Sequence, residues 1–312
     1  MSAGEVRFVD CHVHFLLEHF DDFVGSFRDV GLCGAWNIVY DRLAHARGAD
    51  DELLALLETT RRRAEGVVHT FYWPPYEELT DPAFPKRCAK RIAELHKAGI
   101  AGVKVWKDMG LGLRDPRGKL VMLDDERLNP IWEKLLDLKL ILIAHVADPA
   151  PFWLPLDESN PAYETLKARP EWHFGKPDLP SREQLFAARD RLHRRFPDLV
   201  IVNCHCGGYA ESLDQLARWM DDMPNFYASL GRGHLKEGDS VAALVERHSD
   251  RILFETDLGM IRGRKTDLPW NADMYANALD RMRATFRPFG AEVLAKFAHR
   301  SAERLLRRAP GA

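Results

Sequence analysis

Short apolar runs recur along the chain, separated by longer stretches in which apolar residues return every three or four positions. The first pattern predicts strands over residues 6–12, 34–40, 66–72, 101–106, 139–145, 199–205, 225–230 and 251–257. The second predicts amphipathic helices over Asp50–Arg63, Pro85–Ala98, Asp125–Leu138, Ser181–Arg195, Glu211–Met220 and Ser240–His248. Asp50, Asp125, Ser181 and Ser240 supply side-chain acceptors for the free N–H groups of helix starts. Ser181-Arg-Glu-Gln184 has the spacing of a reciprocal capping box. Runs such as Lys139-Leu-Ile-Leu-Ile-Ala144 and Leu199-Val-Ile-Val202 lack polar alternation, as expected of parallel strands covered on both faces.

Eight strands, each followed by a helix-like stretch, predict an α/β chain closed into a (β/α)8 TIM barrel. An open doubly wound sheet is the alternative, but it calls for a Gly-rich phosphate turn after the first strand. His12-Val-His14 stands there instead. No internal repeat, low-complexity tract or linker divides the chain, so residues 1–312 read as one domain. Residues 148–180 break the rhythm with seven prolines and with Phe152, Trp153, Tyr163, Trp172 and Phe174. So long a segment between barrel elements is usually functional or disordered, and its aromatic content opposes disorder. It follows the fifth strand, at the face where barrel active sites occur, and is expected to be a lid-like insertion or pocket wall. A flap packed on the outside is the competing reading.

Composition narrows the class. With 312 residues and 46% hydrophobic composition the chain can bury a large core. A net charge of −3, with acidic and basic residues interspersed, opposes nucleic-acid binding. No stretch approaches the ~20 apolar residues of a membrane span, and Met1–Asp10 lacks the pattern of a signal peptide. The five cysteines (Cys11, Cys33, Cys88, Cys204 and Cys206) are scattered and odd in number, and are expected to be reduced thiols of a cytoplasmic protein.

The strand ends carry the chemistry. His12 and His14, two apart on a strand, point the same way. The fifth strand ends Ile143-Ala144-His145, the sixth Val202-Asn203-Cys204-His205, and the eighth Phe254-Glu255-Thr256-Asp257. In a barrel all C-terminal strand ends converge on one face, so His12, His14, His145, His205 and Asp257 are expected around one small volume. Imidazoles and a carboxylate suit a single divalent ion, zinc first, with manganese, iron or cobalt as alternatives.

The motifs Asp10-Cys-His12-Val-His14, His145, His205-Cys-Gly207-Gly208 and Arg251-Ile-Leu-Phe-Glu-Thr-Asp257 make the chain resemble the amidohydrolase superfamily. The likeness is to the branch that includes aminocarboxymuconate-semialdehyde decarboxylase and related hydrolases. It implies that His12, His14, His145 and Asp257 bind one divalent metal and that His205 faces the substrate. It also leaves room for a homodimer, as barrels of this branch are often dimers. Asp257 is then positioned to take a proton from water, and His205 to polarise the substrate or protonate a leaving group.

Two departures matter. Where many relatives carry Gly, this chain has Glu255, which strand alternation turns into the barrel and which needs a partner there. Lys104 on the fourth strand is expected to be that partner, its other reading being a carbamylated lysine bridging two metals, for which Lys107 is also placed. Near the C-terminus, Ser301-Ala-Glu-Arg-Leu305 replaces an Asn-Ala-x-x-Leu segment. Alternation is expected to turn Cys204, Cys206 and Cys11 away from the site, toward the helices. Trp106 and Arg232, with Arg262, Arg264 and Lys265, are expected to hold an anionic, unsaturated substrate. The expected reaction is hydrolysis, hydroxide on the metal attacking an amide, lactone, ester or C–C-linked carbonyl of a small molecule. Non-oxidative decarboxylation of an unsaturated or aromatic acid uses the same ligands and stays open. All five expected positions are filled, which argues against a barrel kept only as a binding scaffold.

Overall fold

The computed structural model describes residues 6–40, 51–231, 235, 241–260 and 272–307. Nine strands are present among them: β1 (Phe8–Phe15), β2 (Leu32–Tyr40), β3 (Val68–Trp73), β4 (Gly102–Val105), β5 (Ile141–Ala144), β6 (Ile201–Asn203), β7 (Phe226–Gly231), β8 (Ile252–Glu255) and β9 (Leu258–Met260). They form one parallel sheet in the order β8-β7-β6-β5-β4-β3-β2-β1-β9. β9 follows β8 after two residues and pairs with β1, Val13 opposite Leu258 and His14 opposite Gly259. The eighth barrel position is therefore one broken strand, its first half bonded to β7 and its second half to β1. The sheet curls into the expected TIM barrel.

Helices cover the outside. Those at Glu52–Arg63, Phe84–Ala98, Asn129–Asp137, Arg182–Arg195, Leu213–Asp222 and Ala242–His248 fall where the periodicity places them. Helices Phe20–Val30 and Ala272–Phe286 come in addition. Ser181 and Gln184 make both bonds of the capping box. Asp125 caps a short turn that leads into the helix beginning at Asn129. Asp50 and Ser240 lie outside the described residues.

Two apolar layers result. The larger lies between the sheet and the helices. The inner one fills the barrel with Val9, Cys11, Trp36, Phe71, Ile143, Val202, Cys204 and Leu253, and Ala302 and Leu305 of the last helix pack on it. After β5 the chain runs through turn Ala150–Trp153, helix Tyr163–Ala168 and turn Pro170–Trp172. This segment packs on itself: the Phe174 amide donates to the Phe152 carbonyl, and the Trp153 and Phe174 rings lie 5.0 Å apart. Among the described residues no helix is long and apolar enough to cross a membrane.

At the break in the eighth strand a side chain replaces the ladder. Asp10, fully buried on β1, accepts from the backbone amides of His12 and Thr256, each at 3.1 Å, and from the hydroxyls of Thr256 and Tyr275. One carboxylate thus ties the first strand, the last strand and helix Ala272–Phe286. Removing it in Asp10→Ala leaves two buried amides without acceptors, each costing about 1–3 kcal/mol. We expect a loss of about 3–5 kcal/mol by denaturant unfolding, with Asp10→Asn, which keeps one acceptor oxygen, losing less than half as much.

Candidate metal centre

The three strand ends that build the site all depart from regular extension. On β1 the pairing register slips between Asp10 and Val13, which lets Cys11 and His12 both face the barrel interior. His205 and Asp257 have left-handed backbones, with φ of 58° and 56°. Such conformations cost non-glycine residues energy and cluster where surrounding structure holds them for function. At His205 the turn brings inward a side chain that simple alternation would send outward, Cys204 already holding the inward position, while Asp257 shares the inward parity of Leu253 and Glu255.

One oxygen of Asp257 lies 3.2 Å from Nε2 of both His12 and His14. The ligand atoms of this trio all fall within 4.8 Å of one another. A separation of 3.2 Å is what two bonds of about 2.1 Å to one ion span at an angle of roughly 100°. The far nitrogens fix the ring orientations. His14 Nδ1–H donates to the Ile38 carbonyl at 3.0 Å, and His12 Nδ1–H to Glu255 at 3.2 Å. Each ring therefore presents a bare Nε2 lone pair to Asp257, the arrangement that outer hydrogen bonds impose on metal-binding imidazoles. Burial, reinforced by the Lys104 charge, lowers the pKa of His12 to about 3 and keeps it neutral. The donor set fits a divalent cation.

His205 stands beside the trio, its ring stacked 5.1 Å from His12 and its Nε2 3.8 Å from Asp257. Its backbone amide and its Nδ1–H both donate to one oxygen of Glu255, at 2.7 and 2.9 Å. Burial opposes charging this ring, but the Glu255 carboxylate outweighs burial and raises its pKa above the ordinary value. Glu255 itself is fully buried, and despite that burial the His205 charge and the bonds from both imidazoles hold it well below the usual carboxylate range. Its other oxygen also accepts from Ser229 at 2.6 Å.

His145 belongs to neither ligand group within 4.8 Å. It packs edge-on against His205 at 4.5 Å, and its Nε2 is bonded to Asp148 at 3.1 Å, leaving Nδ1 as its remaining nitrogen. Asp148 in turn pairs with Lys107, whose ammonium lies over the rings of Trp172 and Trp106. A cavity of about 290 Å³ opens above the ligands, walled by Trp73, Trp106, Phe152 and Trp172. Trp106 thus lines the cavity as expected, and the segment after β5 supplies part of its wall. His19 and His69 do not line it.

Lys104 is buried in the barrel as parity requires, but its partner is not Glu255. Its ammonium donates to Cys204 Sγ at 3.1 Å and lies 3.5 Å from His12 Nε2. Glu255 is instead engaged by two imidazoles and a hydroxyl. The expectation that Cys204 and Cys11 face the helices is overturned for the same geometric reason. Cys204 keeps the inward parity of Val202, and His205 reaches the interior only through its left-handed turn. Burial pushes the Cys204 thiol up to about 12, so it meets Lys104 as a neutral group. Arg232, Arg262, Arg264 and Lys265 lie outside the described residues. Sequence reasoning missed Asp148 and Ser229. Asp148 carries a weak local signal, a carboxylate three residues beyond a strand-end histidine, whereas nothing in Ser229 marks it.

A family model described as amidohydrolase matches residues 9–308. The chain belongs to the amidohydrolase family. Among solved structures, this amidohydrolase is similar to 2,6-dihydroxybenzoate decarboxylase from Rhizobium, at 17% identity and a TM-score of 0.61, with 97% of this chain and 99% of that one covered. A complex of 2,6-dihydroxybenzoate decarboxylase with 2,6-dihydroxybenzoate matches at 17% identity and a TM-score of 0.59, covering 97% and 100%. An amidohydrolase from Pseudomonas aeruginosa matches at 12% identity and a TM-score of 0.52, covering 98% and 97%. At these identities the likeness is one of fold. No curated protein sequence matches the chain.

Burial keeps three imidazoles of this amidohydrolase uncharged, His12, His145 and His193 each being lowered to about 3. A folded pKa below the unfolded one makes stability complete above about pH 6.5 and subtracts it as pH falls toward 3. Each site contributes up to about 1.4 kcal/mol per pH unit. Asp10 and Asp108, each raised to about 7 by burial, oppose this over the same window, because the folded protein holds protons there that the unfolded chain releases. Denaturant unfolding of the metal-free protein from pH 7 to 5 is expected to lose stability toward acid with a net slope of about 1–2 kcal/mol per unit. A flat profile over that window contradicts the assignment. Glu255→Gln, which weakens the hold on His12 and His205, is expected to lower zinc affinity about 10–100-fold in competition with a chelator.

Proposed function

We propose that this amidohydrolase is a metal-dependent hydrolase that opens an amide, ester, lactone or C–C-linked carbonyl of a small molecule. One observation carries the reading: His205, an imidazole whose pKa Glu255 raises, stands beside the ligand trio with its Nε2 3.8 Å from the carboxylate of the trio, Asp257. Hydrolysis needs one group to take a proton from water and another to give one to the leaving group. The side chain of Asp257 is 44% exposed to the cavity and is the acceptor in this scheme. His205, its pKa raised by Glu255, is the donor, through Nε2. His12, His14 and Asp257 hold the ion, with His145 the further candidate on the neighbouring strand. A bound divalent ion, zinc first among the candidates, supplies Lewis acidity that polarises a carbonyl and acidifies water. Trp73, Trp106, Phe152 and Trp172 exclude bulk solvent and offer flat apolar faces to an unsaturated substrate.

Those aromatic walls favour a second reading, non-oxidative decarboxylation of an aromatic or unsaturated acid. There His205 protonates the ring carbon as carbon dioxide departs, and the dihydroxybenzoate decarboxylases that share the fold lend it support.

Purified protein is expected to hold about one equivalent of divalent metal by elemental analysis, lost in the His12→Ala, His14→Ala double variant. Metal content unaffected by that variant removes the proposed centre. A panel of esters, lactones and amides run beside hydroxybenzoates separates the two reactions. Ester or lactone turnover without carbon dioxide release supports hydrolysis, and carbon dioxide release from a hydroxybenzoate alone replaces it with decarboxylation.

A further inference from the structure

The four residues His205, Cys206, Gly207 and Gly208 have φ of 58°, 57°, 67° and 76°. Left-handed residues ordinarily occur singly, because the side chain of an L-residue crowds the following carbonyl. Here four in a row make a full left-handed turn, and two of them are not glycine. Inside the turn the Gly208 amide donates to the carbonyls of Cys204 and His205, and the Tyr209 amide to that of Cys206. The turn is also pressed against the segment that follows His145. A Cβ added at Gly208 would lie 2.7 Å from the Ala147 carbonyl oxygen.

The outward carbonyls of the turn are met by one helix. Arg189 is fully buried, and its Nη1–H donates to the Gly207 carbonyl at 3.2 Å. Arg182 donates to the Gly208 carbonyl at 2.8 Å and to Glu211 at 3.1 Å. The two arginines are seven residues apart, two turns of helix Arg182–Arg195, and so share a face. Phe186 lies between them, 5.4 Å from one guanidinium and 4.9 Å from the other. Trp219 at 4.0 Å and Phe226 at 5.0 Å complete the cage around Arg189. Arg189 also pairs with Asp190 at 2.8 Å. A rigid planar donor held by stacked rings keeps one orientation, which a lysine or a hydroxyl does not reproduce.

At its other end the turn delivers His205, whose amide and ring nitrogen both reach Glu255. We propose that Arg189, seconded by Arg182, is the positioning residue for His205, holding the left-handed turn that aims this imidazole at Glu255 and Asp257. It touches neither substrate nor ion and acts through the Gly207 carbonyl alone. The proposal rests on His205 being a working group of the site, but its test does not depend on any reaction.

The test uses zinc-loaded protein labelled with ¹⁵N-histidine. The imidazole N–H of His205, bonded to the Glu255 carboxylate, is expected as a low-field resonance, assigned by its loss in His205→Asn. The imidazole N–H of His14, bonded to the Ile38 carbonyl on the far side of the barrel, serves as reference. In Arg189→Met the His205 resonance is expected to vanish while that of His14 stays. In Arg182→Met, which leaves the Arg189 contact intact, the His205 resonance is expected to weaken without vanishing. An unchanged His205 resonance in Arg189→Met overturns the proposal, and so does loss of both resonances together, which marks a merely structural role. Should Met at 189 prevent folding, Arg189→Lys is read by the same pair of resonances, with the same two outcomes against the proposal. Failure of the substrate panel above, with these shifts as expected, rejects the assigned reaction and leaves the positioning role standing.

Discussion

A fully buried carboxylate sets the terms for the rest of this barrel. Glu255 has no water to solvate it, so its stability depends on the donors that surround it. Those donors are His12, His205 and Ser229, drawn from β1, the end of β6, and β7. Satisfying one anion therefore fixes the orientation of two imidazoles far apart in the sequence. It also gives them different characters. His12, buried and facing the Lys104 ammonium as well, stays neutral with its lone pair toward Asp257. His205, whose ring and backbone amide both donate to one oxygen of Glu255, has its pKa raised instead. The same side-chain type is thus tuned in opposite directions, toward neutrality by burial and Lys104 and toward charge by Glu255.

The second constraint is conformational. Regular strands deliver every other residue to the barrel interior, which is too sparse for a cluster of ligands and acids in contact. A register slip on β1 and the left-handed turn after β6 add side chains that alternation would have turned outward. Cys204 and His205 are adjacent in sequence yet both look inward, as are Cys11 and His12. Of the described non-glycine residues with left-handed backbones, His205, Cys206 and Asp257 lie at the face that carries the cavity, beside helix Arg182–Arg195 and the Asp10 carboxylate, and Lys139 lies apart, in the turn before β5.

Much of the scaffold was legible in the sequence because it follows from period and length alone. All eight strand regions and six of the helices stand where hydrophobic spacing puts them. Helix Phe20–Val30 escaped notice, although Phe20, Phe23, Phe27 and Val30 recur at helical spacing and are buried. The five strand-end groups were legible because a barrel brings strand ends together whatever the sequence between them. The errors are local departures from alternation. His205 turns inward beside Cys204, and so reaches Glu255, through a positive φ that no residue type there announces, and Cys11 faces inward because the β1 register slips. Asp148 was likewise out of reach, since its pairing with His145 and Lys107 depends on how the chain leaves β5.

In the proposed centre, the broken eighth strand couples assembly to metal capture. His12 and His14 are made early in synthesis and Asp257 late, and the two sides meet when β9 docks on β1. Until that zipper shuts, a nascent chain has imidazoles but no carboxylate facing them, so its grip on a cation stays weak. The proposed centre thereby defers ion uptake to a chain whose first and last strands have met, and an ion held there would clasp those strands of the ring to each other.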